Sequence, residues 1–136
     1  MVLMKRILGV FVLSWLLVSC QESLEEKCAR EVREYNEKKC PAPIGENMVI
    51  DSLGFDRATH TLHYYYTLKG AADDAERIKN SGAYDLLLGE IKNATSVKEY
   101  KEAGYSFSYT YMSAKDKGKV LFEVTFTKED YGAAAD

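Results

Sequence analysis

The chain has 136 residues, 18 Lys and Arg against 21 Asp and Glu, and a formal net charge of −3 at pH 7. An acidic surface repels phosphate groups, which argues against nucleic acid and anionic lipid headgroups as partners, and no nucleic acid is expected. Two histidines and three cysteines leave little material for a metal cluster, and no cofactor is expected.

Lys5 and Arg6 precede an apolar run from Ile7 to Leu13, then Ser14, then Trp15 to Val18. A transmembrane helix needs about 20 apolar residues, whereas a charged start followed by a shorter apolar run reads as a secretory signal peptide. Residues 1–19 are therefore set aside as that signal. Its end, Leu17-Val18-Ser19-Cys20, resembles the lipobox of bacterial lipoproteins. The resemblance implies cleavage between Ser19 and Cys20, diacylglycerol on the Cys20 thiol, acylation of the new amino terminus, and the membrane as a partner through that anchor. Each buried CH2 contributes about 0.8 kcal/mol, so two or three acyl chains hold firmly where one binds reversibly. Gln21 is not the aspartate that retains many enterobacterial lipoproteins in the inner membrane, so the outer membrane is the expected location. The acidic stretch Gln21 to Glu26 also resembles surface-export signals of lipoproteins in the Bacteroidota, which leaves the periplasmic and surface leaflets both open.

After cleavage 117 residues remain, with 16 Lys and Arg against 21 Asp and Glu, a charge of about −5. That length suits one domain with its own core. The expected layout is a lipidated terminus over 20–23, a single α+β domain over 24–131 and a disordered tail over 132–136. Ser23 and Glu26 have capping-box spacing, and Leu24, Cys28, Val32 and Tyr35 form one stripe of a helix from Leu24 to about Lys38, stopped by Pro41 and Pro43. Cys28 and Cys40 would lie about 18 Å apart on a continuous helix, beyond the roughly 7 Å of a disulfide, so a bridge requires the helix to end well before Cys40.

Cys40 to Asn47 reads as an extended connector. MVIDSLGF from Met48 and TLHYYYTL from Thr61 read as a hairpin. In the second strand Leu62, Tyr64, Tyr66 and Leu68 share a core face, while His63, Tyr65 and Thr67 point the other way. Asp73 and Asp74 are expected to cap a second helical region, divided at Gly82, whose Tyr84, Leu87, Leu88 and Ile91 form a buried stripe. Ser96 and Glu99 make another capping box, Val97 and Tyr100 face inward, and Gly104 closes that short helix. Tyr105, Phe107, Tyr109 and Tyr111 then alternate with Ser106, Ser108, Thr110 and Met112. Across a turn at Lys115 to Gly118, Val120, Phe122, Val124 and Phe126 alternate with Leu121, Glu123, Thr125 and Thr127.

Helix, hairpin, helices, hairpin is an αββ unit used twice, and the expected fold is α+β, one four-stranded antiparallel sheet with helices packed on one face. This order is similar to small secreted domains of the β-lactamase-inhibitor-protein or cystatin-like kind. N-x-x-x-C-P at Asn36 to Pro41, D-S at Asp51 and Ser52, L-x-Y-x-Y-T-L at Leu62 to Leu68 and A-G-Y-S-F-S-Y-T-Y at Ala103 to Tyr111 resemble a family of small exported Gram-negative proteins of uncharacterised activity.

No catalytic motif stands out. His60 and His63 are spaced i, i+3, which on a strand diverges, so no metal site is expected. GxSxG and cysteine-protease signatures are missing, and Asp73 and Asp74 lack calcium-loop periodicity. The candidate binding face is the outer side of the sheet, with Tyr65 as anchor beside His63, Thr67, Ser108, Thr110 and Thr125. A solvated antiparallel face is polar in the same way. The expected function is a lipid-anchored, non-enzymatic envelope protein with a protein or glycan partner; the alternative is a small envelope hydrolase or enzyme inhibitor acting through loops such as Cys40 to Asn47. If Cys20 carries the lipid, Cys20→Ala should release the protein from the membrane fraction and abolish metabolic labelling by fatty acid.

Overall fold

The computed structural model describes residues 21–132. The expected signal peptide at residues 1–19, Cys20 and residues 133–136 lie outside the described residues. No helix among the described residues is long and apolar enough to cross a membrane.

Helix α1 spans Leu24–Lys39. The Ser23 hydroxyl accepts from the Glu26 amide at 3.1 Å, and Glu25, Glu26 at one end and Lys38, Lys39 at the other complement the helix dipole. A short strand β1 (Ala42–Pro43) follows, then β2 (Met48–Asp56) and β3 (Thr61–Leu68). The turn between β2 and β3 is held by the Asp56 carboxylate, which accepts from the Ala58 and Thr59 amides. After a 3-10 turn come α2 (Ala75–Asn80), α3 (Ala83–Asn93) and α4 (Lys98–Glu102), then β4 (Ser106–Ser113), β5 (Val120–Phe126) and α5 (Lys128–Gly132). Gly82 stands at the α2–α3 junction with φ 74°, a left-handed conformation that glycine adopts without steric cost.

The fold is α+β, but the sheet differs from the expected four antiparallel strands. Among the described residues five strands lie in the order β1-β2-β3-β4-β5, and β3 and β4 run parallel, from Thr61 opposite Ser106 to Leu68 opposite Ser113. The cause is the connection. Everything from residue 69 to residue 105 is a helical crossover that carries the chain back to the end of the sheet where β3 began, and only such a crossover joins parallel neighbours. The other pairs are antiparallel, with a bulge in β2 at Asp51.

Three smaller expectations also change. The Cys40–Asn47 connector is not wholly loop, because Ala42 and Pro43 pair with Ile50 and Val49. Pro41 and Pro43 offer no N–H, which confines this segment to the sheet edge. Gly132 closes α5 instead of opening a tail. The buried Tyr131 of that helix donates its hydroxyl to the Tyr105 carbonyl at 2.7 Å. Helix α4 starts at Lys98 behind Val97 without a side-chain cap, so Ser96 and Glu99 do not form their box.

The helices lie on one face of the sheet. Cys28 from α1, Leu87 and Ile91 from α3 and Tyr100 from α4 pack with Leu62, Phe107, Tyr109 and Phe126 of the strands. Cys28 and Cys40 are both free thiols. Helix α1 is fixed to the sheet by Asn36, whose carboxamide donates to the Leu53 carbonyl at 2.9 Å and accepts from the Leu53 amide at 2.7 Å. One side chain thus continues the pairing of β2 where the two-residue β1 stops. Losing it strands both Leu53 groups, so Asn36→Ala should lower stability by about 2 kcal/mol, against about 0.5 or less for the exposed neighbour change Glu37→Ala, as measured by urea unfolding.

Candidate functional site

The outer face holds the residues expected to bind, and most of them are already partnered. Ser108 and Thr110 are buried, at 4% and 6% exposure, instead of displayed. Thr125 donates to the Ser108 hydroxyl at 3.0 Å, Thr110 to the Glu123 carboxylate at 3.0 Å, and Thr67 to Asp51 across the bulge. Ser108–Thr125 and Thr110–Glu123 are directly paired across β4 and β5, so the register itself engages the donor protons of Thr125 and Thr110. Tyr65 leans across Gly54, its ring edge 3.3 Å from where a Cβ would stand, and His63 stacks on it at 5.8 Å. The anchor is half-buried on its own sheet.

The helix-bearing face is more open than the alternation implies. Tyr64 and Tyr66 point toward the core with Leu62 and Leu68, yet both remain half-buried. They floor two adjoining hollows of about 380 and 370 Å³ that meet at Ile44 and Tyr66. One is walled by Ile78, Leu86, Leu87 and Glu90 of α2 and α3, with Tyr111 in its floor; the other by Cys28, Val32 and Tyr35 of α1 and Tyr100 of α4. Helix α1 packs on β2, whereas α3 packs on α2 and α5. The centre of the sheet is left as a groove between them.

Parallel in-register pairing places Tyr109 beside Tyr64 and Tyr111 beside Tyr66, and the rings stack at 4.9 and 4.8 Å with 10° between planes. None of these four hydroxyls has a protein hydrogen-bond partner among the described residues. Burial pushes the Tyr66 phenol up to about 12, with Tyr35 and Glu90 adding to it, and raises Tyr64, Tyr109 and Tyr111 in the same direction. Burial also pushes the Cys28 thiol up to about 11. The lips are apolar: Ile44 is 40% exposed and Leu86 64%. An apolar cleft with a few free hydroxyls is the ordinary make-up of a binding site.

The other candidates have structural duties. His60, at φ 52°, stacks on Tyr105 at 4.7 Å and pairs with Glu25 of α1, while His63 lies on the outer face. No group of three metal-ligating side chains converges among the described residues. Asp74 caps α2 through the Glu76 and Arg77 amides. Asp73 does not cap; it is 3% exposed and accepts from the Lys115 amide at 2.9 Å, tying the crossover to the β4–β5 turn. Leu86 and Glu90 escape sequence reasoning, while Ile44 lies in the Cys40–Asn47 segment named there only as a loop. One signal was available: in Leu86-Leu87-Leu88 three consecutive leucines cannot all face one core on a helix.

Fold and site together define a small α+β domain with a tyrosine-floored groove. The chain belongs to a family described as a domain of unknown function, DUF8479, whose model matches residues 23–122. Among solved structures it is similar to a putative secreted protein from Pseudomonas aeruginosa, with a TM-score of 0.62 and 14% identity over 82% of this chain and 99% of that one. It is also similar to the type II secretion system pilotin AspS from Vibrio cholerae, with a TM-score of 0.54 and 14% identity over 79% of this chain and 91% of that one. At such identities the likeness is one of fold. No curated protein matches the sequence.

The raised phenol and thiol values fix an alkaline signature. Groups whose pKa rises on folding contribute stability that is intact below their unfolded values, 9.0 for the thiol and 10.0 for the phenols, and that is lost as pH climbs through the folded ones. The thermal midpoint should stay level up to about pH 9 and fall toward about pH 12. Tyr66→Phe should shrink that fall while leaving the neutral-pH midpoint nearly unchanged.

Proposed function

We propose that this chain is a lipid-anchored cell-envelope docking protein, non-enzymatic, whose groove holds an apolar segment of a protein partner. The observation that carries the reading is the groove itself: two joined hollows, exposed lips at Ile44 and Leu86, and four tyrosine hydroxyls with no partner inside the described residues. Segments that dock by side-chain insertion need apolar area for affinity and a few polar points for register, and this site offers both. The lipobox resemblance at Cys20 supports an anchor, with the outer membrane as its location. A secretion-system pilotin and a putative secreted protein sharing the fold support an assembly role in the envelope.

Incorporation of a photo-crosslinking amino acid at Leu86 and, separately, at Thr125 tests the site in intact cells. Leu86 should give a discrete crosslinked envelope protein that Ile44→Asp removes, and Thr125 should give none. Crosslinks from Thr125 but not from Leu86 would move the site to the outer face.

A further inference from the structure

Glu31 and Glu90 are the charged side chains that line the groove, and no Lys, Arg or His lines it. Glu31 is already engaged, accepting from the Tyr100 hydroxyl at 2.9 Å and lying 3.8 Å from the Lys27 ammonium. Glu90 is different. It stands at the mouth of the hollow with Tyr66 and Tyr111, and among the described residues no cationic group is within ion-pair distance of it.

We propose that the docked segment carries a lysine or arginine whose cation sits on the Glu90 carboxylate beside the Tyr66 and Tyr111 hydroxyls. This rests on the docking reading above and names the chemistry of its partner. A wholly apolar segment would take water from Glu90 and return nothing, which is costly for a charged group, and an acidic one would meet like charge. A cation instead finds a carboxylate and two phenol oxygens, all acceptors, in one place. The methylene stem of Lys or Arg can lie along Leu86 and Leu87 while its head reaches Glu90. A free ammonium ion would leave the two hollows of about 380 and 370 Å³ unfilled, so the cation belongs to a polypeptide whose apolar side chains occupy the rest.

The test is selection of random peptides displayed on phage against the full lipidated chain held in detergent micelles, in parallel with Glu90→Gln, Glu90→Lys and Leu86→Asp. Glu90 and Leu86 are exposed, and thermal midpoints check that every variant is folded. Peptides that bind the parent and are lost with Leu86→Asp should be enriched in one Lys or Arg among apolar residues. They should bind Glu90→Gln about fivefold more weakly. Glu90→Lys should enrich an acidic residue at that place instead. Groove-dependent peptides with no basic preference and equal affinity for Glu90→Gln would overturn the cation assignment and leave the docking reading standing. Failure to recover any peptide that Leu86→Asp loses would overturn both.

Discussion

The parallel, in-register pairing of β3 with β4 is the constraint on which the rest of this protein hangs. It joins the two αββ units at the centre of the sheet, and it forces the intervening chain to cross over one face as α2, α3 and α4. Because the strands run the same way without offset, each core-facing residue of β3 sits beside its counterpart on β4. Tyr64 meets Tyr109 and Tyr66 meets Tyr111, and each stacked pair contributes about 0.5–1.5 kcal/mol beyond the area it buries. Aliphatic residues at the same positions would offer no polar tip. Tyrosine stacks along its ring and keeps a hydroxyl at the open end, so one arrangement supplies both cohesion and free polar groups in the groove.

The width of the groove follows from how α1 is tethered. Its Asn36 carboxamide is engaged with both backbone groups of Leu53, so the helix is committed to the β2 edge and cannot slide inward over β3. Helix α3 is held from the opposite side by α5, whose Tyr131 reaches the Tyr105 carbonyl. Two helices fixed at opposite margins leave the middle strands with a partial roof. Ile44 and Leu86 stay exposed because the neighbours that would cover them are held elsewhere.

Much of this fold was legible residue by residue. The period of two in Tyr105–Met112 and the helical stripe through Cys28 assign faces correctly, since a side chain's direction depends on local backbone alone. Pairing direction is another matter. Parallel and antiparallel neighbours present the same alternation, so nothing within β3 or β4 distinguishes them, and only the placement of the crossover does. β1 is two residues with a proline and carries no period; α5 has five residues and little room to show one. On the outer face the hydroxyls of Ser108, Thr110 and Thr125 are plain in the sequence, but their mutual hydrogen bonds depend on register, which turns an apparent display into closed pairs. The groove is a space between elements, and it belongs to no single stretch. Only the surplus leucine at Leu86 hints at it.

The contact between Tyr65 and Gly54 bears on how these two positions can vary. A Cβ at position 54 would stand 3.3 Å from the Tyr65 ring and 3.7 Å from His63 Cβ, so the ring lies closest over β2 where the residue beneath it lacks a side chain. A side chain at 54 obliges that ring to give by a few tenths of an ångström. Loss of the aromatic leaves a glycine with nothing above it in the middle of a strand, a position that glycine weakens. The two sites are therefore coupled by packing alone, and a change at either one is felt by the other across the outer face of the sheet.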